Sequence, residues 1–289
     1  MIPLPDCVRI HSPLDDYPIL EVHHPSCTAR IAFHGAQVME WTPAGQEPVL
    51  YLSPLAVFQN GKAIRGGVPI CWPWFGPHPS DPRLPAHGLA RTRLWSLIAC
   101  EDDGASVHLR FELHADEETL ALWPHAFEAA VEIRVGRELQ ISLIRHNPSD
   151  AAFTDSSALH TYLRVTDVAE IFLSGLEGAV YDERAAGSPH HGTQQGEVRI
   201  DGEMDRIYAS SATVTVHDRN RRIHVHKRGS ASTVVWNPGA EKAARLGDLP
   251  ADDFPHFLCI EAANAPGAEV TVGPGGTEVL RTRIVVESP

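Results

Sequence analysis

The fold is decided by Val107-His-Leu-Arg-Phe-Glu-Leu113, a stretch in which apolar and polar side chains alternate without a break. Because successive side chains of a β-strand point to opposite faces, this pattern predicts a strand with one face on a core and the other toward water. Strands of this kind are typical of antiparallel sheets. The stretch therefore indicates an antiparallel β protein.

The same period of two recurs along the chain. Alternating or continuously apolar stretches that predict further strands lie at 131–135, 139–143, 223–226, 233–236, 257–260 and 270–272. Only 117–123 and 239–246 favour short helices. The turn-forming residues, 22 Gly and 23 Pro, occur throughout. Many short strands between turns predict an all-β protein, a large antiparallel β-sandwich or barrel.

Two segments do not fit the strand pattern. We predict long loops at 58–94, which is dense in Gly, Pro, Trp and Arg, and at 182–202, which is polar. Long loops inside a compact domain are usually functional or disordered. Because no linker divides the chain, we expect one domain over 1–289.

The charge balance excludes several classes of partner. Lys and Arg total 24 against 37 Asp and Glu, a formal net charge of −13 over 289 residues. Without a basic tract the chain is a poor partner for nucleic acid, and an anionic surface is repelled by anionic membranes. An anionic substrate would therefore need a local group of basic side chains.

The chain also has the features of a cytoplasmic protein. No window reaches the roughly 18 apolar residues of a membrane span, and residues 1–13 show no signal peptide. The cysteines are odd in number and scattered, which indicates free thiols in a reducing compartment. They are Cys7, Cys27, Cys71, Cys100 and Cys259.

Glu261 gives the strongest chemical signal, because it lies in the apolar run Leu258-Cys-Ile-Glu-Ala-Ala-Asn264. A carboxylate inside such a run is uncommon unless it is paired or functional. Burial would raise its pKa and make it a usable base. The alternative is a glutamate at a strand end, paired with a neighbouring arginine.

A histidine with a similar setting occurs in Ala158-Leu-His-Thr-Tyr-Leu-Arg164. In a strand, His160 and Tyr162 would share one face. Histidine exchanges protons near neutral pH, with an unperturbed pKa of about 6.5. Since the chain has 17 histidines, a packed or surface role for His160 stays an alternative.

The first long loop contains basic and aromatic residues in Ala63-Ile-Arg-Gly-Gly-Val-Pro-Ile-Cys-Trp-Pro-Trp-Phe-Gly76. A stiff loop that presents Arg65 beside Trp74 and Phe75 suits a small-molecule pocket. The aromatic side chains could equally plug the end of a sandwich.

The same loop continues into Pro85-Ala-His-Gly-Leu-Ala-Arg91, where His87 and Arg91 lie four residues apart. Arginine suits two-point recognition of phosphate or carboxylate, so Arg65 and Arg91 could form an anion clamp. Pairing of these arginines with surface acids is the alternative.

Two further candidate polar residues, Asp205 and Arg206, occur in Gly202-Glu-Met-Asp-Arg-Ile-Tyr208. Asp205 could accept hydrogen bonds from a polyhydroxylated ligand, and Arg206 could fix the ligand in place. The alternative for Asp205 is a turn residue before a strand.

We expect no metal and no cofactor. The adjacent histidine pairs lack acids or thiols at the spacing of a metal site. Motifs for nucleotide binding and for common serine hydrolases are absent from the sequence.

Taken in order, the motifs resemble those of the glucose-6-phosphate 1-epimerases (hexose-6-phosphate mutarotases), a branch of the aldose 1-epimerase family. They are Ile64-Arg-Gly-Gly-Val-Pro-Ile-Cys-Trp-Pro-Trp-Phe-Gly76, His87-Gly-Leu-Ala-Arg91, Leu159-His-Thr-Tyr162, Gly175-Leu-Glu-Gly178, Asp205-Arg-Ile-Tyr208, Val235-Trp-Asn-Pro238 and Cys259-Ile-Glu261. The sequence departs at Leu89, where an aromatic is frequent, and at Gly239-Ala-Glu-Lys242, where another Trp is common after the proline.

The resemblance implies a galactose-mutarotase-like β-sandwich (a supersandwich) with few short helices. It implies cofactor-independent interconversion of the α and β anomers of a hexose 6-phosphate, and with it a small-molecule partner and a monomer. His160 and Glu261 match the family's catalytic residues, and Arg65 and Arg91 match the arginines associated with the phosphate. The residues that match hydrogen-bonding partners of the sugar are His87 and Asp205, and we expect Trp74, Phe75 and Tyr162 to line the pocket.

Ring opening of a hexopyranose needs a base at the C1 hydroxyl and an acid at the ring oxygen. We expect Glu261 to be the base and a protonated His160 the acid, both facing one sugar-sized cavity.

Three other functions stay open at this point. The first is a mutarotase for unphosphorylated aldoses. The second is a glycoside hydrolase or lyase, for which hydrolysis usually needs a second facing carboxylate. The third is a non-catalytic sugar-phosphate-binding or sensing protein, because a fold does not determine a function.

Overall fold

The computed structural model describes residues 2–14, 16–185 and 190–288. In chain order the strands are β1 Val8–His11, β2 Ile19–His24, β3 Cys27–Ala32, β4 Gln37–Pro43, β5 Ile70–Cys71, β6 Ser96–Asp102, β7 Val107–His114, β8 Glu128–Val135, β9 Leu139–His146, β10 Phe153–Asp155, β11 Ser157–Leu159, β12 Tyr162–Arg164, β13 Phe172–Ser174, β14 Val180–Glu183, β15 His190–Thr193, β16 Met204–Tyr208, β17 Val214–Asp218, β18 Arg221–Arg228, β19 Ser232–Asn237, β20 Phe257–Asn264, β21 Val270–Val272 and β22 Thr277–Glu287. The α-helices are α1 Glu117–Leu122 and α2 Gly239–Ala243.

Two eight-stranded antiparallel sheets dominate the architecture. One, here called the site sheet, has the order β15-β14-β16-β19-β20-β11-β5, with β12 also paired to β20. The other has the order β13-β17-β18-β22-β9-β8-β7-β6. A four-stranded sheet of β1 to β4 and the pair β10-β21 complete the set. The described strand pairs are antiparallel, which confirms the predicted antiparallel all-β class.

The stretch 107–113 forms β7, and its side chains alternate between buried and partly exposed along the strand. The helix predicted at 117–123 is α1, which is capped by Asp116: the Thr119 amide donates to the Asp116 carboxylate at 2.7 Å. Such a cap compensates for an amide that has no partner within the helix.

The second helix is shorter than the predicted 239–246. After α2 the amides of Arg245 and Leu246 donate to carbonyls only three residues back, those of Lys242 and Ala243. This i to i−3 bonding is 3₁₀ geometry, so the α-helix ends early and the chain tightens into a turn.

The predicted loop at 58–94 is mostly irregular, but it contributes β5 to the site sheet, where Cys71 pairs with Ala158. The predicted loop at 182–202 is wrong in part. β14 and β15 pair as an antiparallel hairpin, because backbone hydrogen bonds form between polar residues as readily as between apolar ones. Residues 186–189 of that prediction lie outside the described part of the chain.

Strand β20 explains how an apolar run can carry a carboxylate. All eight of its residues are buried. Leu258, Ile260 and Ala262 belong to the main core, whereas Cys259 and Ala263 belong to a smaller cluster on the opposite face. Glu261 is on the same face as that smaller cluster, because side chains alternate along a strand. The site sheet thus presents Glu261 away from the main core.

In the described residues, no helix combines the length and the apolar character needed to cross a membrane.

Candidate active site

The structure brings His160 and Glu261 into direct contact. Glu261 lies on β20, and His160 lies between β11 and β12, which both pair with β20. The His160 Nε2 atom is 3.4 Å from the Glu261 Oε1 atom. His160 is 8% exposed and Glu261 is 1% exposed. This contact leaves no room for a sugar between the two groups. A substrate would have to contact both of them from one side.

His160 is held by its ring as well as by its backbone. Its ring stacks on that of Tyr162, with centroids 4.8 Å apart and planes at 11°. Leu159 and Leu163 point into the main core on the other face, as the alternation in the sequence predicts. The His160 amide donates to the carbonyl of Pro69 at 3.0 Å. These contacts fix the imidazole over the site sheet.

Burial determines the protonation of the pair. Desolvation raises the pKa of Glu261 well above its ordinary value, and the nearby Asp205 charge raises it further while Arg91 opposes the shift. Desolvation lowers the pKa of His160 well below 6.5, and the nearby cations Arg91 and Arg65 add to this shift. Burial therefore favours the uncharged form of both groups.

The direction of these shifts runs against the protonated His160 expected from the sequence. The physical reason is that the cost of desolvating a charged imidazole outweighs its attraction to a neighbouring carboxylate.

Each member of the pair also has spare hydrogen-bonding capacity. Among the described residues, the buried Nδ1 atom of His160 and the buried Oε2 atom of Glu261 have no hydrogen-bond partner. Most buried polar atoms in proteins do have partners, so such atoms call for an explanation. They mark the pair as a functional candidate.

His87 and Arg91 reach the pair from the segment 85–91. His87 has a left-handed backbone, φ +66°, and its Nδ1 accepts from the Gly76 amide at 3.4 Å. Burial lowers the pKa of His87 to about 3, and the charges of Arg91 and Arg65 contribute. Arg91 donates from Nη2 to the Ala86 carbonyl at 2.9 Å. His87 is thus a neutral hydrogen-bonding group beside two cations.

Arg65 is held by two side chains. Its Nε donates to Asp248 Oδ1 at 3.1 Å, and its Nη1 donates to the Tyr162 hydroxyl at 3.0 Å. Sequence reasoning missed Asp248, because it lies 183 positions from Arg65 along the chain and no local pattern distinguishes it from the other acids.

Asp205 and Arg206 point in opposite directions. Asp205 pairs across β16 and β19 with Trp236, and burial raises its pKa while Lys242 and Arg184 oppose the shift. The interpretation of Arg206 as a ligand-fixing residue is wrong: its Nε donates to Glu183 at 2.7 Å on the other face of β16, as alternation along a strand requires.

Three aromatic side chains lie around the polar groups. Besides Tyr162, Phe75 packs edge-on against His87 with centroids 5.1 Å apart, and Trp236 packs edge-on against His160 at 5.8 Å. Trp236 belongs to the motif Val235-Trp-Asn-Pro238, but the sequence does not predict that it lines the pocket. It completes an aromatic wall around the imidazole.

The sequence predicts that Trp74 lines the pocket, but the structure places this side chain elsewhere. Its indole donates to the Pro85 carbonyl at 2.9 Å, and its ring packs against His78. It belongs to the main core and borders a separate cavity of about 420 Å³. In the stiff loop, neighbouring residues point to different sides, so Phe75 contacts His87 and Trp74 does not.

The two departures from the family pattern fall in different places. Leu89 is 1% exposed and lies in the main core. Lys242 lies beside the site: its Nζ is 2.9 Å from Glu203 and 5.9 Å from the centre of the Trp236 ring.

Two other surface cavities, of about 700 and 480 Å³, lie away from these residues. The larger contains Arg134 and Arg283, but these arginines are already paired with Asp103 and Glu138. Neither cavity brings a buried acid and base together. The chemistry therefore points to the His160–Glu261 region rather than to either cavity.

The described residues contain no group of three or more His, Cys, Asp or Glu side chains arranged to hold a metal ion.

Solved structures place the fold in a known class. A crystal structure described as a putative mutarotase from Salmonella typhimurium superposes with a TM-score of 0.93 at 35% identity, covering 100% of this chain and 96% of that one. A galactose mutarotase related enzyme from Lactobacillus acidophilus, 15% identical, superposes with a TM-score of 0.72 over 93% of this chain and 97% of that one. The protein thus has the galactose-mutarotase-like β-sandwich fold.

Sequence comparison gives the family. The model of the aldose 1-epimerase family matches residues 18–285. A relative from Escherichia coli named "Putative glucose-6-phosphate 1-epimerase" is 40% identical over 87% of this chain and 85% of its own length. One of the same name from Cenchrus ciliaris is 33% identical over 91% and 82%. The chain belongs to the aldose 1-epimerase family.

Proposed function

We propose that this protein interconverts the α and β anomers of hexose 6-phosphates, with glucose 6-phosphate as the preferred substrate, and that it needs no cofactor. The observation that carries the proposal is the buried contact between His160 and Glu261, 3.4 Å from Nε2 to Oε1. The names of the relatives support the choice of substrate.

The chemistry of the reaction suits such a pair. The C1 hydroxyl and the ring oxygen are bonded to the same carbon, so an acid and a base in contact with each other can reach both oxygens. One group removes the hydroxyl proton while the other protonates the ring oxygen, and the bond from C1 to the ring oxygen breaks. After rotation about the C1–C2 bond, closure on the other face reverses both transfers. The pair ends with the protons that it began with.

We assign the base at the C1 hydroxyl to Glu261 and the acid at the ring oxygen to His160. This assignment requires an ionised Glu261 and a protonated His160 in the complex with the sugar, against the direction in which burial shifts both pKa values. Hydroxyl groups of the sugar would replace lost solvation and so favour the charged pair. The 3.4 Å contact between Nε2 and Oε1 would also stabilise that charged pair.

We further propose that Arg65 and Arg91 bind the phosphate, and that His87 and Asp205 bind hydroxyl groups of the sugar. Both arginines lie close enough to lower the pKa of His160 and of His87. Arginine recognises phosphate through two parallel hydrogen bonds. Within a chain of net charge −13, these two cations would attract a dianion to this site.

The experiment is a comparison of α/β exchange rates for glucose 6-phosphate and glucose, measured by NMR magnetisation exchange with the purified protein. We expect a higher kcat/KM for the phosphorylated sugar. Arg65→Ala and Arg91→Ala should each weaken glucose 6-phosphate binding about ten-fold or more, since a charge-assisted hydrogen bond contributes roughly 1.5–3 kcal/mol. Glucose should be little affected.

Other outcomes have distinct meanings. Equal efficiency on both sugars would replace the proposal with a mutarotase for unphosphorylated aldoses. Binding without acceleration of either exchange would indicate a sensing protein.

We also propose a cytoplasmic location. The five cysteines, all among the described residues, are free thiols, and this fits a reducing compartment.

A further inference from the structure

The guanidinium of Arg65 is fixed before any anion binds. Asp248 accepts from Nε at 3.1 Å, and the Tyr162 hydroxyl accepts from Nη1 at 3.0 Å. Both hydrogens of Nη2 and the second hydrogen of Nη1 remain. The three hydrogens left for a ligand are therefore all on the two terminal nitrogens, at the terminal edge of the guanidinium, and can be donated to one phosphate.

Asp248 is itself anchored. Its backbone carbonyl accepts from the Ser53 hydroxyl at 2.7 Å. The next residue, Leu249, is 3% exposed and packs in the same cluster as Tyr162. The carboxylate is thus presented by a segment that is tied down on both sides, rather than by a free surface side chain.

The second acceptor connects Arg65 to the candidate catalytic pair. Tyr162 is 2% exposed, and its ring stacks on that of His160. The hydroxyl end of the same ring accepts from Arg65. The position of the guanidinium is therefore set relative to the imidazole by one rigid side chain, and Asp248 removes the remaining freedom to rotate.

We infer that Asp248 is a positioning residue: its carboxylate holds the Arg65 guanidinium so that the free terminal edge faces the phosphate of the substrate. This inference rests on the proposed function. A carboxylate beside a phosphate-binding arginine can act in two ways. It can orient the guanidinium, or it can compete with the phosphate for the arginine. Asp248 bonds to Nε and leaves the terminal edge open, which is the arrangement of an orienting group.

The test compares Asp248→Ala, Asp248→Asn and a control, Asp252→Ala, with glucose 6-phosphate and with glucose. The control removes the same charge from an exposed position of the same segment. With Asp248→Ala we expect KM for glucose 6-phosphate to rise about ten-fold, the size of one charge-assisted hydrogen bond, with little change in kcat. Asp248→Asn keeps an acceptor for Nε and should recover most of the loss.

The parameters for glucose should stay at the parental values in Asp252→Ala and should change much less than those for glucose 6-phosphate in the Asp248 variants, because glucose carries no phosphate. An unchanged or lower KM of Asp248→Ala for glucose 6-phosphate would overturn the inference, and a lower value would identify a competing carboxylate. Equal losses of kcat on both sugars would also overturn it, since they indicate general disruption. Failure of the proposed function is recognised separately, because the parent protein would then show no preference for the phosphorylated sugar.

Discussion

Glu261 illustrates how the position of one residue sets its chemistry. Desolvation within β20 favours the uncharged carboxyl group, so its pKa is raised. Burial raises the free energy of the ionised carboxylate in the folded protein. For the same reason the carboxylate, once ionised, is a strong base.

That cost predicts a pH-dependent effect of Glu261→Gln on stability. Between the ordinary pKa of 4.5 and the raised value, the folded state holds a proton that the unfolded state has lost, so the parent loses stability as pH rises, by up to about 1.4 kcal/mol per pH unit. Glutamine cannot ionise and escapes this loss. The melting temperature of Glu261→Gln should exceed that of the parent by a margin that grows from pH 5 to pH 8.

Calorimetry at both pH values checks this, with Glu241→Gln as the control at an exposed position. A margin that is the same at both pH values would mean that the pKa of Glu261 is not raised.

At the residue scale the sequence predicts some side chains and misses others. Glu261 could be found because a carboxylate in an apolar run is unusual. Arg206 and Trp74 were misplaced because the face on which a side chain points depends on strand register and on loop geometry, which the sequence does not contain. Asp248 and Trp236 were missed because only the folded chain brings them to Arg65 and His160.

At the scale of elements, the segment 85–91 is the most demanding piece of backbone at the site. His87 and Gly88 both have positive φ, +66° and +75°, and the Leu89 amide donates to the Trp72 carbonyl at 2.9 Å. A Cβ added at Gly88 would lie 2.1 Å from the Trp72 carbonyl oxygen. Glycine is therefore required here, and it sets the direction from which His87 and Arg91 approach the pair.

Gly88→Ala should therefore lose both stability and activity. Gly104→Ala is the matched control, since Gly104 also has positive φ, +83°, but has open space around its Cβ position. Both variants should lose about 1–2 kcal/mol from the left-handed backbone. Gly88→Ala should lose about 1–3 kcal/mol more from overpacking, and its kcat/KM should fall for both sugars.

Denaturant unfolding and the exchange assay measure the two effects. Equal losses of stability in the two variants would show that the approach of Gly88 to Trp72 is not tight.

Elements with a regular pattern of side chains could be predicted, and those formed mainly by the backbone could not. The strands β7, β8 and β9 carry the alternation that identifies them. The hairpin of β14 and β15 is polar, and β5 has only two residues, so neither carries a regular pattern. These strands form because neighbouring strands offer hydrogen-bond partners. The early end of α2, where the chain changes to i to i−3 hydrogen bonds, is likewise absent from the local pattern.

For the whole molecule, the order of strands is what creates the candidate site. β20 lies between β19 and β11 in the site sheet, so residues about a hundred positions apart in the sequence come into contact. The antiparallel all-β class follows from the alternation, whereas the strand order was expected only through resemblance to the family. Local patterns do not encode which strands become neighbours.

The central claim is that His160 and Glu261 perform the proton transfers, and one measurement tests it most directly: the α/β exchange rate of glucose 6-phosphate with His160→Asn and Glu261→Gln. One positioned acid or base is typically responsible for about a 10²- to 10⁴-fold acceleration, so each variant should lose at least about 100-fold in turnover while keeping a folded NMR spectrum. Near-parental exchange in either folded variant would contradict the account.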